Sequence, residues 1–193
     1  MHGACGSVSR SAATHVSDTM KRILWTTLVC LLPVALLGQA PASGQRAEVK
    51  KLDWLVGQWK GAGWIKMGPQ GRKEFTETET VQSKLDGLVL LIEGQGKSKE
   101  DGSTVHTALT FVSYDDRTKT FRWRAFTGEG RQTDTEAKVG ANTMEWGLDI
   151  PQLGRMRYAI KLNEKGEWFE VGEMTQDGQT WHTFFEMTLQ RQK

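Results

Sequence analysis

From Gln58 to the C-terminus the chain is a succession of short segments with two-residue alternation, separated by turn-forming clusters, and no helix-period run of ten residues interrupts it after Val56. Ten segments read as strands by this rule: Gln58 to Met67, Lys73 to Leu85, Gly87 to Lys97, Thr104 to Tyr114, Thr120 to Thr127, Gln132 to Val139, Thr143 to Ile150, Arg155 to Leu162, Glu167 to Thr175 and Thr180 to Gln190. The connections between them are short and rich in Gly, Asp, Asn and Pro, which favours sequential antiparallel neighbours. Without helices to cover a flat sheet, ten meandering strands must hide one face and both edges by themselves. Closure into an all-β, ten-stranded antiparallel up-and-down barrel does both. A sandwich is the alternative, although its Greek-key crossovers ordinarily need longer connections than these.

Clean alternation assigns faces on several strands. Phe121, Trp123 and Ala125 share one face against Arg122 and Arg124. Met144, Trp146, Leu148 and Ile150 oppose Glu145 and Asp149, and Met156, Tyr158, Ile160 and Leu162 oppose Arg155, Arg157 and Lys161. Trp181, Phe185, Met187 and Leu189 oppose His182, Glu186 and Gln190. The apolar sets are expected to line the interior. Gly87 to Gly96 and Glu167 to Met174 carry apolar groups on both faces and take no assignment.

Upstream of the barrel, residues 1–42 read as an upstream segment followed by a secretory signal. From Met20, Lys21 and Arg22 form a basic start, Ile23 to Leu37 an apolar run too short to span a bilayer, and Ala40-Pro41-Ala42 a small-x-small cleavage site. Export with cleavage near Ala42 is the expectation, with translation starting at Met1 or Met20. Residues 43–50 read as a polar linker, Lys51 to Val56 as a short helical turn, and 51–193 as a single domain. Cleavage removes Cys5 and Cys30, so the mature domain has no disulfide and no thiol nucleophile. It also takes three of the 25 basic residues and one of the 23 acidic ones, leaving 22 of each. A neutral domain gives no reason to expect nucleic acid or an anionic membrane as partner.

Residues 57–64 combine three glycines with Trp59 and Trp64. By parity Trp59, Gly61 and Gly63 share a face, so the glycines either let a strongly bent strand pass close to its neighbour or leave room for a bound group. Gly57-Gln58-Trp59, following a short apolar turn and opening the first strand, resembles the G-x-W signature of lipocalin and calycin barrels. The longer string WLVGQWKGAG resembles the opening of nitrobindin-type haem barrels and of related secreted bacterial barrels of unknown function. The resemblance implies that Gly57 and Trp59 close one barrel end with a basic residue near the C-terminus packed on the ring, for which Arg191 is the candidate. It also implies, as an alternative function, haem iron held by a histidine near the last strand, where His182 lies. The register argues that His182 points outward unless a bulge shifts it.

Catalytic motifs are missing from the sequence: it has no G-x-S-x-G, H-E-x-x-H or G-x-G-x-x-G. With His106 and His182 the only histidines of the mature domain, an all-histidine metal site is excluded. Glu77 and Glu79 share a face with Phe75 and Val81, while Thr76, Thr78 and Thr80 form the other. If the apolar residues point inward, so do the carboxylates, which must then be paired, hydrogen-bonded or protonated. If the threonines line the lumen, the glutamates are solvated.

Ten strands enclose more space than the eight that side chains just fill. The expected function is therefore an exported, non-enzymatic barrel that holds a small, mainly apolar molecule against Trp59, Trp123, Trp146, Tyr158 and Phe185, oriented by Glu77 or Glu79, with no cofactor. A surface scaffold acting through Arg122 and Arg124 is the remaining alternative.

Overall fold

The computed structural model describes residues 43–193 except Met67, Gln70 and Leu153. The expected signal sequence and its cleavage site lie outside the described residues. Ten strands follow two short helical pieces: α1 (Ser43–Val49), a 3-10 helix (Lys50–Leu55), then β1 (Gly57–Ile65), β2 (Lys73–Lys84), β3 (Val89–Ser98), β4 (Thr104–Asp115), β5 (Thr120–Thr127), β6 (Gln132–Gly140), β7 (Thr143–Ile150), β8 (Gly154–Leu162), β9 (Trp168–Thr175) and β10 (His182–Arg191). Every strand pairs antiparallel with its sequence neighbours, and β1 pairs with β10, so the sheet closes as an up-and-down barrel. The sandwich alternative is thereby excluded.

Residues Ser43–Val49 are helical where a polar linker was expected. The segment is short and polar, and its order comes from docking: Gln45 donates to the Tyr114 carbonyl, Arg46 pairs with Asp86, and Val49 is buried. Beneath it the 3-10 helix buries Leu52 and Leu55, capping the end of the barrel where β1 begins and β10 ends.

The seam is held at that same end. Trp59 is almost fully buried, donates its indole N–H to the Leu55 carbonyl at 2.7 Å, and meets Trp168 edge-on at 5.7 Å between ring centres. Arg191, directly opposite Trp59 in the β1–β10 register, lies 4.1 Å over the ring. Its guanidinium donates to the carbonyls of Val56 and Trp54, tying the last strand to the plug. Gly57 has φ +137°, and a Cβ there would strike the Arg191 guanidinium, so both backbone and space demand glycine.

Further along β1 the room left by Gly61 and Gly63 is taken by the barrel's own chain. A Cβ on Gly61 would fall on the Thr188 carbonyl oxygen of β10, and one on Gly63 would meet the Phe75 ring at 2.7 Å. These glycines serve a strongly coiled strand pressed against its neighbour, and not a ligand. Gly61→Ala is therefore expected to destabilise the barrel by about 1–3 kcal/mol, because backbone cannot rotate out of the way as a side chain can. A urea midpoint unchanged from the parent would contradict this.

The inward face of the sheet forms one contiguous core, from Leu90, Val112, Met144, Ile160 and Leu189 near the plug to Trp123 and Trp146 farther along. The faces read from alternation hold on β5, β7 and β8. On β10 they hold only from Phe185 onward: a bulge at Thr183–Phe185 shifts the register. Below it His182 pairs with Met174, which is itself opposite the buried Met156, so His182 falls on the lumen side. Trp181 falls outside, where the Arg157 guanidinium lies 4.0 Å over its ring. Both positions are the reverse of the expectation, because a bulge exchanges faces for everything beyond it.

Candidate functional site

On β2 the inward residues Phe75, Glu77, Glu79 and Val81 are all buried, while Thr76 and Thr78 are exposed. Of the two readings of this strand, the structure has the carboxylates inside. β3 makes the space for them. It places Gly96 opposite Glu77 and Gly94 opposite Glu79, and a Cβ on either glycine would come within 2.6 Å of a carboxylate oxygen. Each glutamate thus lies flat over a strand that has no side chain to displace it.

A third carboxylate comes from β9. Glu170 is buried on the same lumen face and accepts a hydrogen bond from the Trp168 indole N–H at 3.1 Å. Sequence reading missed it because β9 is apolar on both faces. Spacing groups Glu170 with Trp168, Gly172 and Met174 on one face but does not say that this face is the inward one.

Among the described residues no cation forms an ion pair with these three acids. Glu77 Oε1 and Glu79 Oε2 are buried without a hydrogen-bond partner. Burial, and secondarily the neighbouring Glu170, pushes Glu77 up to about 8, with the Gln95 backbone N–H partly opposing. Glu170 is pushed up to about 8 by burial, moderated by the Trp168 N–H. Glu79 is held well above the ordinary carboxyl range by burial, then by Glu77 and Glu170. Glu77 and Glu170 are therefore mostly carboxylic acids at pH 7, able to donate a hydrogen bond as well as accept one, and Glu79 is shifted in the same direction.

Beside them runs a wall of aromatic rings. Trp123 stacks on Trp146 at 3.8 Å, Trp146 stacks on Tyr158 at 5.2 Å, and Tyr158 meets Phe185 edge-on at 6.1 Å. Phe185 in turn stacks on Phe75, one residue pair below Glu77, at 5.8 Å. The rings come from β5, β7, β8, β10 and β2, so the wall extends around much of the lumen. Burial and the charge of Glu170 raise the Tyr158 phenol, which keeps it protonated too.

Of the residues singled out in the sequence, Glu77, Glu79, Trp123, Trp146, Tyr158 and Phe185 come together in this lumen. Trp59 links them to the plug: it is opposite Glu79 in the β1–β2 register and packs on Trp168, while Gly57 and Arg191 belong to the plug end alone. His106 and His182 both lie toward the end opposite the plug and are exposed. His106 is opposite Gly96 and so on the lumen face. Among the described residues no group of three or more His, Cys, Asp or Glu is arranged to hold a metal ion. On the outside, Arg122 and Arg124 both bond to Asp134, which neutralises part of the arginine-rich face.

Residues 45–191 match a family described as "Protein of unknown function (DUF1579)". No curated protein matches the chain. Among solved structures, the fold is similar to that of Rv2717c from M. tuberculosis, with a TM-score of 0.57 and 16% sequence identity over 75% of this chain and 97% of that one. At that identity the likeness is one of fold.

Proposed function

We propose that this chain, which belongs to the DUF1579 family of proteins of unknown function, is a barrel that binds a small, mainly apolar molecule in its lumen and carries out no chemistry on it. The observation that supports this reading is the pairing of two buried, unpartnered carboxyl oxygens with a continuous aromatic wall. Leaving such oxygens unpaired costs about 1–3 kcal/mol each, whereas an apolar core of the same volume has no such cost. A ligand with one polar group and an apolar body recovers the cost. Glu77 and Glu79 orient the polar group, and Trp123, Trp146, Tyr158 and Phe185 contact the body. Export through the Met20 to Ala42 segment is part of the same proposal, and N-terminal sequencing of the mature protein checks it.

Native mass spectrometry of protein purified from its host without denaturation tests the binding reading. The expected result is a bound species of small-molecule mass that is lost on collisional activation and reduced in Glu77→Gln. A bare polypeptide mass in every preparation, together with a lumen that excludes added apolar probes, would overturn it.

One observation favours haem as a second reading: the bulge at Thr183–Phe185 brings His182 to the lumen face, a position from which an imidazole could hold iron. Bound there, haem would supply redox or nitric-oxide chemistry, and Met174 and Met156 would be among its apolar neighbours. Titration with haemin is then expected to give a Soret shift that His182→Ala abolishes. No shift would end that reading and leave the first one standing.

A further inference from the structure

Acidic groups are clustered on the lumen face. Among the described residues, the inward strand positions between the barrel ends carry Glu77, Glu79 and Glu170 and no Lys or Arg, and His106 faces Glu77 across Gly96. The inward cationic positions are at the ends. Arg191 is committed to Trp59 and the plug carbonyls, and Lys73, opposite Ile65, is exposed toward the other end, as is His182. The remaining basic residues of the strands point outward, where several form surface ion pairs such as Arg157 with Glu173 and Arg155 with Asp149. Trp123, Trp146 and Tyr158, stacked face to face, add a block of apolar surface to the same lumen.

Anions are the worst occupants of such a lumen, and a neutral polar group would satisfy the carboxyl oxygens without using their capacity to ionise. A cation gains a charge-assisted hydrogen bond from a carboxyl group that ionises beside it. We propose that the lumen takes a protonated organic amine, its ammonium group among Glu77, Glu79 and Glu170 and its apolar body against Trp123, Trp146 and Tyr158. This rests on the lumen-binding reading and names the chemical class of its ligand. The ammonium enters already charged, and one carboxylic acid gives up its proton to solvent as the pair forms. The lumen's net charge is thus unchanged and one proton leaves for each amine bound. Primary amines are the simplest members of the class, because three N–H donors match three carboxyl groups.

Calorimetric titration of the protein at pH 7 with phenyl-, naphthyl- and octyl-bodied primary amines, and with the alcohols and carboxylic acids of the same bodies, tests the proposal. Running it in two buffers of different ionisation enthalpy counts the protons released. The expected result is that amines bind at least about tenfold tighter than the matching alcohols, with about one proton released, and that the acids bind weakest. Glu77→Gln and Glu79→Gln are expected to weaken amine binding at least about tenfold more than alcohol binding and to abolish the proton release, with an unchanged far-ultraviolet circular dichroism spectrum showing that the variants remain folded. Alcohols binding as tightly as amines, or amine binding without proton release, would overturn the amine assignment and leave the lumen as a binding site. Failure of all three series to bind would overturn the lumen reading as well.

Discussion

Trp59→Ala is expected to cost about 3–5 kcal/mol of stability, the range for truncating a large buried aromatic residue. The loss has three parts that converge on the barrel seam. A nearly fully buried indole leaves a void against Trp168 and the plug residues Leu52 and Leu55. The Leu55 carbonyl loses its donor. The Arg191 guanidinium loses the ring beneath it. Because β1 and β10 are the first and last strands, their pairing is the contact of greatest sequence separation in the fold and bears the largest loop-closure cost. The damage should therefore appear first along the seam. Hydrogen exchange is expected to lose protection at Trp59–Ile65 and Phe185–Arg191 before the β3–β4 pair. Trp59→Phe keeps a ring for Arg191 but lacks the N–H, so it should fall between the two. A cost for the alanine variant below about 1 kcal/mol, or uniform loss of protection around the barrel, would contradict this role.

The second large effect is on pH dependence. Glu77 and Glu170 have folded-state values of about 8 against an ordinary 4.5. Between those two values the native chain holds protons that the unfolded chain has lost. Stability must then fall as pH rises across that window, by up to about 1.4 kcal/mol per pH unit for each group. Glu79, shifted in the same direction, adds to the slope. Typical domains have about 5–15 kcal/mol in total, so the melting temperature of the ligand-free protein should drop markedly between pH 5 and pH 8.5. Glu77→Gln and Glu170→Gln should each flatten the curve, since glutamine keeps the shape and cannot ionise. A melting temperature that is level or rises across this window would show that the carboxyls titrate normally.

Much of the fold was legible because a barrel repeats one simple rule. Alternation of period two, interrupted by turn residues, placed all ten strands close to where they occur, and short connections dictated their order. The inward set on β5, β7 and β8 followed directly, since those strands alternate apolar with charged residues. β9 could not be read this way: with both faces apolar, Glu170 had no clear polarity partner, and only closure of the barrel shows which side it occupies. β10 misled for a different reason. Phe184 and Phe185 are adjacent apolar residues, and the bulge beside them lets both rings reach Tyr158. That local insertion carries Trp181 out and His182 in, and no periodicity written across it can anticipate the exchange. The helix Ser43–Val49 was hidden because its stability comes from Tyr114 and Asp86, which are distant in sequence.

The glycines of β1 and β3 show the same limit from another side. Their positions are plain in the sequence, but their purposes differ. Gly61 and Gly63 make way for the backbone of β10 and the Phe75 ring, whereas Gly94 and Gly96 make way for two carboxyl groups. Only the register, which sets Gly94 against Glu79 and Gly96 against Glu77, distinguishes a coiled strand from the floor of a site.

The central claim is that the lumen holds uncharged carboxylic acids free to meet a ligand. Carbon-13 NMR of protein labelled at the glutamate side-chain carboxyls, titrated from pH 4 to pH 9.5 and assigned through Glu77→Gln, Glu79→Gln and Glu170→Gln, tests it most directly. Glu77 and Glu170 are expected to titrate at about 8 and Glu79 well above the ordinary range, while exposed glutamates titrate in the usual way. If all three resonances instead titrate near 4.5, the lumen is a solvated, ionised channel and the binding site described above does not exist.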